Sequence, residues 1–180
     1  MWAWLSVFAG GFELDAAEQI CGADPACGSP VDMLSSLVDK SILIRGESNG
    51  VVRFRMLETV RDYGWQKLRE SGQEHHVRRR HRDWCQRLVL DAEDGWISDR
   101  QLDWLARLDR EQPNLREALE YCLSQDDQEA AEAGLRTASG LLIFWMFHGL
   151  VDEGRRWLDR VLARPCARSI PDRVKALHAG

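Results

Sequence analysis

One change of hydrophobic period constrains this chain more than any other feature. From Ile42 to Met56 the side chains alternate, Ile42 and Ile44 against Leu43, then Val52, Phe54 and Met56 against Arg53 and Arg55, with Gly46 to Gly50 between the runs. Alternation sends successive side chains to opposite faces of a strand, so two such runs joined by a glycine-bounded turn predict a β-hairpin. Elsewhere the apolar residues recur at intervals of three and four, the period of a helix with one buried face. A single hairpin cannot build a sandwich or a barrel, so the fold class is mainly α.

Three short helices are expected before the hairpin. Leu5, Val7 and Phe8 end a helix that reads as already under way at Met1, and Gly10-Gly11 stops it. Asp15 with Glu18 three positions on has the spacing of a capping box, and Ala16, Ala17 and Ile20 give that helix its apolar side. Ser29, Pro30 and Asp32 then supply a cap hydroxyl, a first-turn proline and an acid near the positive helix end, ahead of the stripe Leu34, Leu37 and Val38. Three short helices and then a hairpin is the element order of a winged helix, a helix-turn-helix variant.

The remainder reads as helical. Val60, Tyr63, Gly64 and Leu68 face inward on a helix ended by Ser71-Gly72, and Val77, His81, Trp84, Cys85 and Leu88 do so on the next. Leu102, Leu105 and Leu108 continue the pattern, and Asn114 after Pro113 is placed to cap a further helix carrying Leu115, Ala118, Leu119 and Cys122. After the polar break from Ser124 to Gln128, two helices, Leu135 to Phe147 and Asp152 to Ala163, are joined tightly at His148-Gly149. A helix pair of this size suggests one repeat of a solenoid, and Arg173 to Gly180 reads as the opening of a second. The expected division is 1–57 as a winged helix with a truncated first helix, 58–128 as a helical connector, and 129–180 as an incomplete repeat.

Composition bounds the function. Residues 1–58 hold 4 basic and 8 acidic side chains, 59–90 hold 8 and 4, and 91–180 hold 12 and 17, so only the middle is basic within a net charge of −5. That balance argues against a protein that coats nucleic acid through an excess of Lys and Arg. Cys21, Cys27, Cys85, Cys122 and Cys166 form no Cys-x-x-Cys pair and no metal-ligand quartet, so they read as reduced core thiols. The apolar runs Met1 to Phe12 and Leu141 to Phe147 are too short to span a bilayer, and a cytoplasmic location is expected. Eight tryptophans mark packing sites.

Three segments in order carry a resemblance: Leu5-Ser6-Val7-Phe8-Ala9-Gly10-Gly11-Phe12, Leu37-Val38-Asp39-Lys40-Ser41, and Arg55-Met56-Leu57-Glu58-Thr59-Val60-Arg61-Asp62-Tyr63. Together they resemble the winged helix that follows the nucleotide-binding core of bacterial, chiefly actinobacterial, STAND-type ATPase transcriptional regulators of the LuxR-like and adenylate-cyclase-linked kind. Asp109-Arg110-Glu111 with Asn114-Leu115-Arg116-Glu117-Ala118-Leu119 is similar to the helical linker of that family. Gly149 with Glu153-Gly154-Arg155-Arg156-Trp157-Leu158 is similar to its first tetratricopeptide repeat, whose general pattern places Leu141, Trp145, Gly149, Gly154 and Leu158. Two departures matter. No Gly-x-x-x-x-Gly-Lys-Ser/Thr loop occurs, so ATP or ADP is expected only in an upstream domain absent from this chain, and no cofactor within it. Related ATPases end the winged helix in a Met-His-Asp motif, of which Met56 keeps the first position while Leu57 and Glu58 replace the rest.

Two functions compete. A DNA-reading winged helix needs Arg, Lys, Asn or Gln on its second motif helix, whereas Pro30 to Lys40 offers Asp32, Ser35, Ser36 and Asp39 with only Lys40 basic. The favoured reading is therefore a non-catalytic regulatory and protein-interaction segment coupling a nucleotide switch to a repeat-based sensor. A stand-alone DNA-binding regulator is the alternative. The expected partners are protein domains: a nucleotide-binding core, further repeats and a signalling partner, with self-association of the isolated chain. Arg78, Arg79, Arg80 and Arg82 are the candidate anionic contact, against a plain solvated helix face. His81 reads as a core histidine, and Cys85, on the apolar stripe, as an inert buried thiol rather than a nucleophile. No catalytic or metal-ligating set is expected.

Overall fold

The structure is a computed structural model that describes residues 2–22 and 29–164 of the 180. The chain divides into two compact units, Met1–Trp84 and Cys85–Gly180. Helix α4, Glu74–Asp94, supplies residues to both. The fold is mainly helical, with a small antiparallel sheet near the start.

The first unit opens with a 3-10 helix, Trp2–Val7. Strand β1, Gly11–Phe12, follows, then α1, Leu14–Cys21, and α2, Pro30–Asp39. The hairpin is β2, Leu43–Ser48, with β3, Val51–Met56. Helix α3, Glu58–Glu70, leads into α4. Ser29 caps α2 as its composition predicts, its hydroxyl accepting from the Asp32 amide at 3.5 Å with Pro30 in the first turn. The predicted hairpin is present, with Ser48 paired to Val51, so its loop is only Asn49-Gly50. Both loop residues have positive φ, 51° and 74°, the backbone a two-residue hairpin turn needs to follow strand twist.

Several expectations are corrected. Gly10-Gly11 does not merely stop a helix: Gly11 and Phe12 pair with Arg55 and Phe54, adding a third strand in the order β1-β3-β2. Two residues are too few for an alternation to be visible in sequence. Helix α1 begins at Leu14, one residue before Asp15, so the capping box does not form; Glu13 is the cap residue and makes no side-chain cap bond. The alternation of the first hairpin run leaves open which face is buried, and the structure settles it: Leu43, 2% exposed, is the buried residue of β2 and pairs with buried Met56. On α3, Gly64 and Leu68 are buried, whereas Tyr63 is 51% exposed and stacks on Trp2 at 5.8 Å.

The core of this unit is aromatic. Phe8 meets Phe12 at 4.4 Å, His81 at 5.3 Å and Trp84 at 5.6 Å, and Leu5, Val7, Ile20, Leu34 and Leu68 are all buried with it. His81 is thus a core histidine, edge-on to Phe8, as its place on the apolar stripe predicts.

The second unit contains α5, Gln101–Ser124, α6, Gln128–Gly140, α7, Leu142–Phe147, and α8, Val151–Leu162. Pro113 lies inside α5, and Asn114 caps nothing: it is buried and donates to Glu111 Oε2 at 2.5 Å. Arg107 Nε stands 3.7 Å from the other Glu111 oxygen, an ion pair beyond hydrogen-bond distance, so the buried carboxylate beside Pro113 has charge opposite it as well as the Asn114 amide. Leu102 is 76% exposed, against expectation, near the start of that helix. The first helix of the expected pair starts earlier, at Gln128 with Asp127 capping the Ala130 amide at 2.7 Å, and is interrupted at Leu141. Leu141, Trp145 and Leu158 are buried. A Cβ on Gly154 would lie 2.6 Å from Trp145 Cε3, so only a residue without a side chain lets α8 lie against that ring. Arg173 to Gly180, read as the opening of a second repeat, lies outside the described residues.

Candidate functional site

The surface of the winged helix is set by α2 and the hairpin. Leu34 and Leu37 turn inward, leaving Asp32, Ser35, Asp39 and Lys40 exposed and Ser36 partly so. Val31, one turn before Leu34, prolongs the apolar stripe into solvent at 50% exposure. There it joins Leu14, Val38, Val52 and Phe54 around an open cleft of about 430 Å³, with Ser35, Asp39 and Arg45 also lining it. The one arginine is not a lone charge, since Arg45 Nη2 stands 3.4 Å from Glu47 Oε2. An apolar cleft with a carboxylate at its edge suits a protein surface better than a phosphate backbone. Sequence reasoning missed this cleft, although Val31 at three residues before Leu34 is the visible signal of a stripe wider than the core requires.

The four candidate arginines Arg78, Arg79, Arg80 and Arg82 of α4 do not share one surface. Arg82 is buried at 4% exposure and held by Asp83, with Nε at 2.8 Å from Oδ1. Arg80 donates to the Gln19 carbonyl at 2.5 Å and lies 5.9 Å over the Trp4 ring. Arg78 is 3.6 Å from Glu74 and 5.6 Å over Trp65. Arg79 alone among them is exposed. Helical period placed all four on or beside the outer face; it could not foresee that a long side chain reaches back to cap a carbonyl or cover an indole.

Met56, Leu57 and Glu58 mark the junction of wing and α3. Met56 ends β3 and is buried, Leu57 is the cap residue of α3 at 45% exposure, and Glu58 is the acid of its first turn, well placed against the helix dipole. Cys85 is fully buried, its thiol reaching the Asn114 carbonyl at 3.6 Å; burial first, with Glu111 adding to it, holds that thiol well above its ordinary range. Such a thiol is a poor nucleophile. Among the described residues no cluster of three or more His, Cys, Asp or Glu side chains is placed to hold a metal ion. Nor is any described helix long and apolar enough to cross a membrane.

In the second unit α5 and α8 exchange charges. Arg116 donates to both Glu153 oxygens, at 2.6 and 2.8 Å, and Arg160 to both Glu120 oxygens, at 2.6 and 2.7 Å. These bonds hold the Glu153 and Glu120 carboxyls below their ordinary range. Trp157 donates its indole N–H to Glu153 at 3.3 Å and lies 4.8 Å under the Arg160 guanidinium.

Comparison with known proteins agrees with this architecture. Residues 1–69 match the family described as winged helix-turn-helix domain. The chain is 36% identical over 159 residues to proteins of Mycobacterium tuberculosis and of Mycobacterium bovis, each named "Putative HTH-type transcriptional regulator", a match covering 88% of this chain and 18% of theirs. An uncharacterized Mycobacterium tuberculosis protein is 36% identical over 80 residues, covering 43% of this chain and 20% of its own. The chain therefore spans about a fifth of the length of the curated relatives it matches. No solved structure matches it significantly. Residues 1–69 are thus a winged helix-turn-helix domain, in a chain homologous to proteins named as helix-turn-helix-type transcriptional regulators.

Proposed function

We propose that this chain is the non-catalytic regulatory and protein-interaction segment of a STAND ATPase-type transcriptional regulator, where it couples a nucleotide switch to a repeat-based sensor. The outer face of α2 carries this reading: Asp32, Ser35 and Asp39 stand where base recognition would need Arg, Lys, Asn or Gln, beside an apolar cleft suited to another protein domain. The winged helix then serves as a packing joint. ATP or ADP belongs to a nucleotide-binding core outside this chain, and that core, further repeats and a signalling partner are its contacts, in the cytoplasm.

The second unit supports the sensor half. Leu141, Trp145 and Leu158 are buried, Gly149 turns the chain at φ 67°, and Gly154 admits the Trp145 ring, which is how a tetratricopeptide hairpin uses those positions. A repeat of this kind needs neighbours to complete its core, so the isolated chain self-associates.

DNA binding by the winged helix is the second reading, favoured by the match of residues 1–69 to a helix-turn-helix family. Exposed Lys40, Arg45 and Arg55 would then carry the phosphate contacts. Fluorescence anisotropy with genomic fragments at about 50 mM salt, where phosphate contacts are strongest, separates the two. Weak, sequence-independent binding is expected. Tight binding to particular sequences would replace the joint with a reader.

A further inference from the structure

We propose that the cleft between α5 and α8 binds a phosphate monoester carried by a small molecule. This site stands apart from the winged helix and from the regulatory reading. An open cavity of about 260 Å³ is lined by Arg116, Glu153, Arg156, Trp157 and Arg160. At about 30 Å³ per water, it holds a phosphoryl group and a few atoms beyond it. Glu153, Arg156, Trp157 and Arg160 fall at helical spacings of three, four and seven, which puts them on one face of α8, opposite Arg116 on α5.

Two of the three guanidiniums are already oriented. Arg116 is fixed by both oxygens of Glu153 and by Gln112 Oε1 at 2.9 Å, and Arg160 by both oxygens of Glu120 and by the Trp157 ring. Each keeps part of its fork in reserve. Among the described residues, Arg116 Nη1 and Arg160 Nε make no hydrogen bond, and Arg156 makes none at all, although its charge acts on Glu153. Three arginines with unused donors thus line one cavity, on a rim with one more positive than negative charge once Glu120 and Glu153 are counted.

A planar carboxylate is satisfied by a single guanidinium fork. A phosphoryl group has three terminal oxygens and a charge of about −1.5 to −2 at neutral pH, so it can take a donor from each arginine. Guanidiniums held in place before the ligand arrives lose little further freedom on binding, which offsets the weak field of an open site.

Isothermal titration of the full chain with inorganic phosphate and with glycerol 2-phosphate, against acetate and chloride at matched ionic strength, tests this assignment. Saturable binding of both phosphates, tighter than acetate, is expected. Arg156→Gln breaks neither ion pair, so it should leave the melting temperature unchanged while raising the phosphate Kd about tenfold, the loss of charge-assisted hydrogen bonds. A response no different from chloride, acetate binding as tightly as phosphate, or an Arg156→Gln chain that binds phosphate unchanged would each overturn the assignment.

Discussion

Arginine does different work in the two units. In the first, three of them reach the backbone of another element, while Arg45, Arg53, Arg78 and Arg82 also stand beside carboxylates: Arg53 donates to the Gly11 carbonyl at 2.6 Å, Arg61 to Ser6 at 3.0 Å and Arg80 to Gln19 at 2.5 Å. In the second, Arg116 and Arg160 seek carboxylates on a neighbouring helix. The difference follows from where carbonyls are left open. Gly11 lies in a two-residue strand, Ser6 near the end of a 3-10 helix and Gln19 in the last turn of α1, all places where the backbone lacks its own partner. Carbonyls inside α5 and α8 are taken up by their own helices, so Arg116 and Arg160 meet side chains across that pair instead. Arg164 is consistent with this: it donates to Leu123 and Gln125, at the open end of α5.

The two kinds of arginine should answer differently to perturbation. The largest effect is expected from the aromatic core of the first unit. Phe8→Ala empties the space between Phe12, His81 and Trp84 and should cost about 3–5 kcal/mol, read by chemical denaturation, with hydrogen exchange confining the loss to the first unit. Protection lost equally from α5 and α6 would mean that the two units do not unfold separately.

Next comes an arginine on backbone. Arg61→Met leaves the Ser6 carbonyl unpaired beneath α3, and about 1–3 kcal/mol should be lost, with little change between low and high salt. The smallest effect belongs to a pair of charges. Glu120→Gln should cost at most about 0.5 kcal/mol, because the pair is half exposed, and that cost should vanish in high salt. Acid acts in the same direction. The Arg160 hydrogen bonds hold Glu120 below its ordinary range, so its contribution is full above the unfolded value of about 4.3 and disappears as pH falls through the lower folded value. A stability difference between Glu120→Gln and the parent chain that persisted at pH 2 would contradict this.

The sequence carried most of the scaffold because its signals are periodic. Ser29-Pro30 placed the start of α2, and alternation from Val52 to Met56 placed β3. What it missed is short or long-range. The strand Gly11–Phe12 has no period of its own, and Pro113 reads as a boundary until the buried Glu111 and Asn114 are seen paired around it. The surfaces were less legible than the core. The run Arg78 to Arg82 reads as one charged face, whereas the arginines that line one cavity are Arg116 on α5 and, forty or more residues later, Arg156 and Arg160 on α8, brought together only when α8 lies on α5.

The indole of Trp145 fills the volume that a side chain on Gly154 would occupy. Those two positions are therefore a single decision. A methyl group added at 154 has nowhere to go until the ring is trimmed, and a trimmed ring leaves a void until the methyl arrives, so either step alone is a loss and the pair together need not be. Evolution can cross that gap only by an awkward intermediate, which makes the bare backbone at 154 a slowly changing mark of how this hairpin closes.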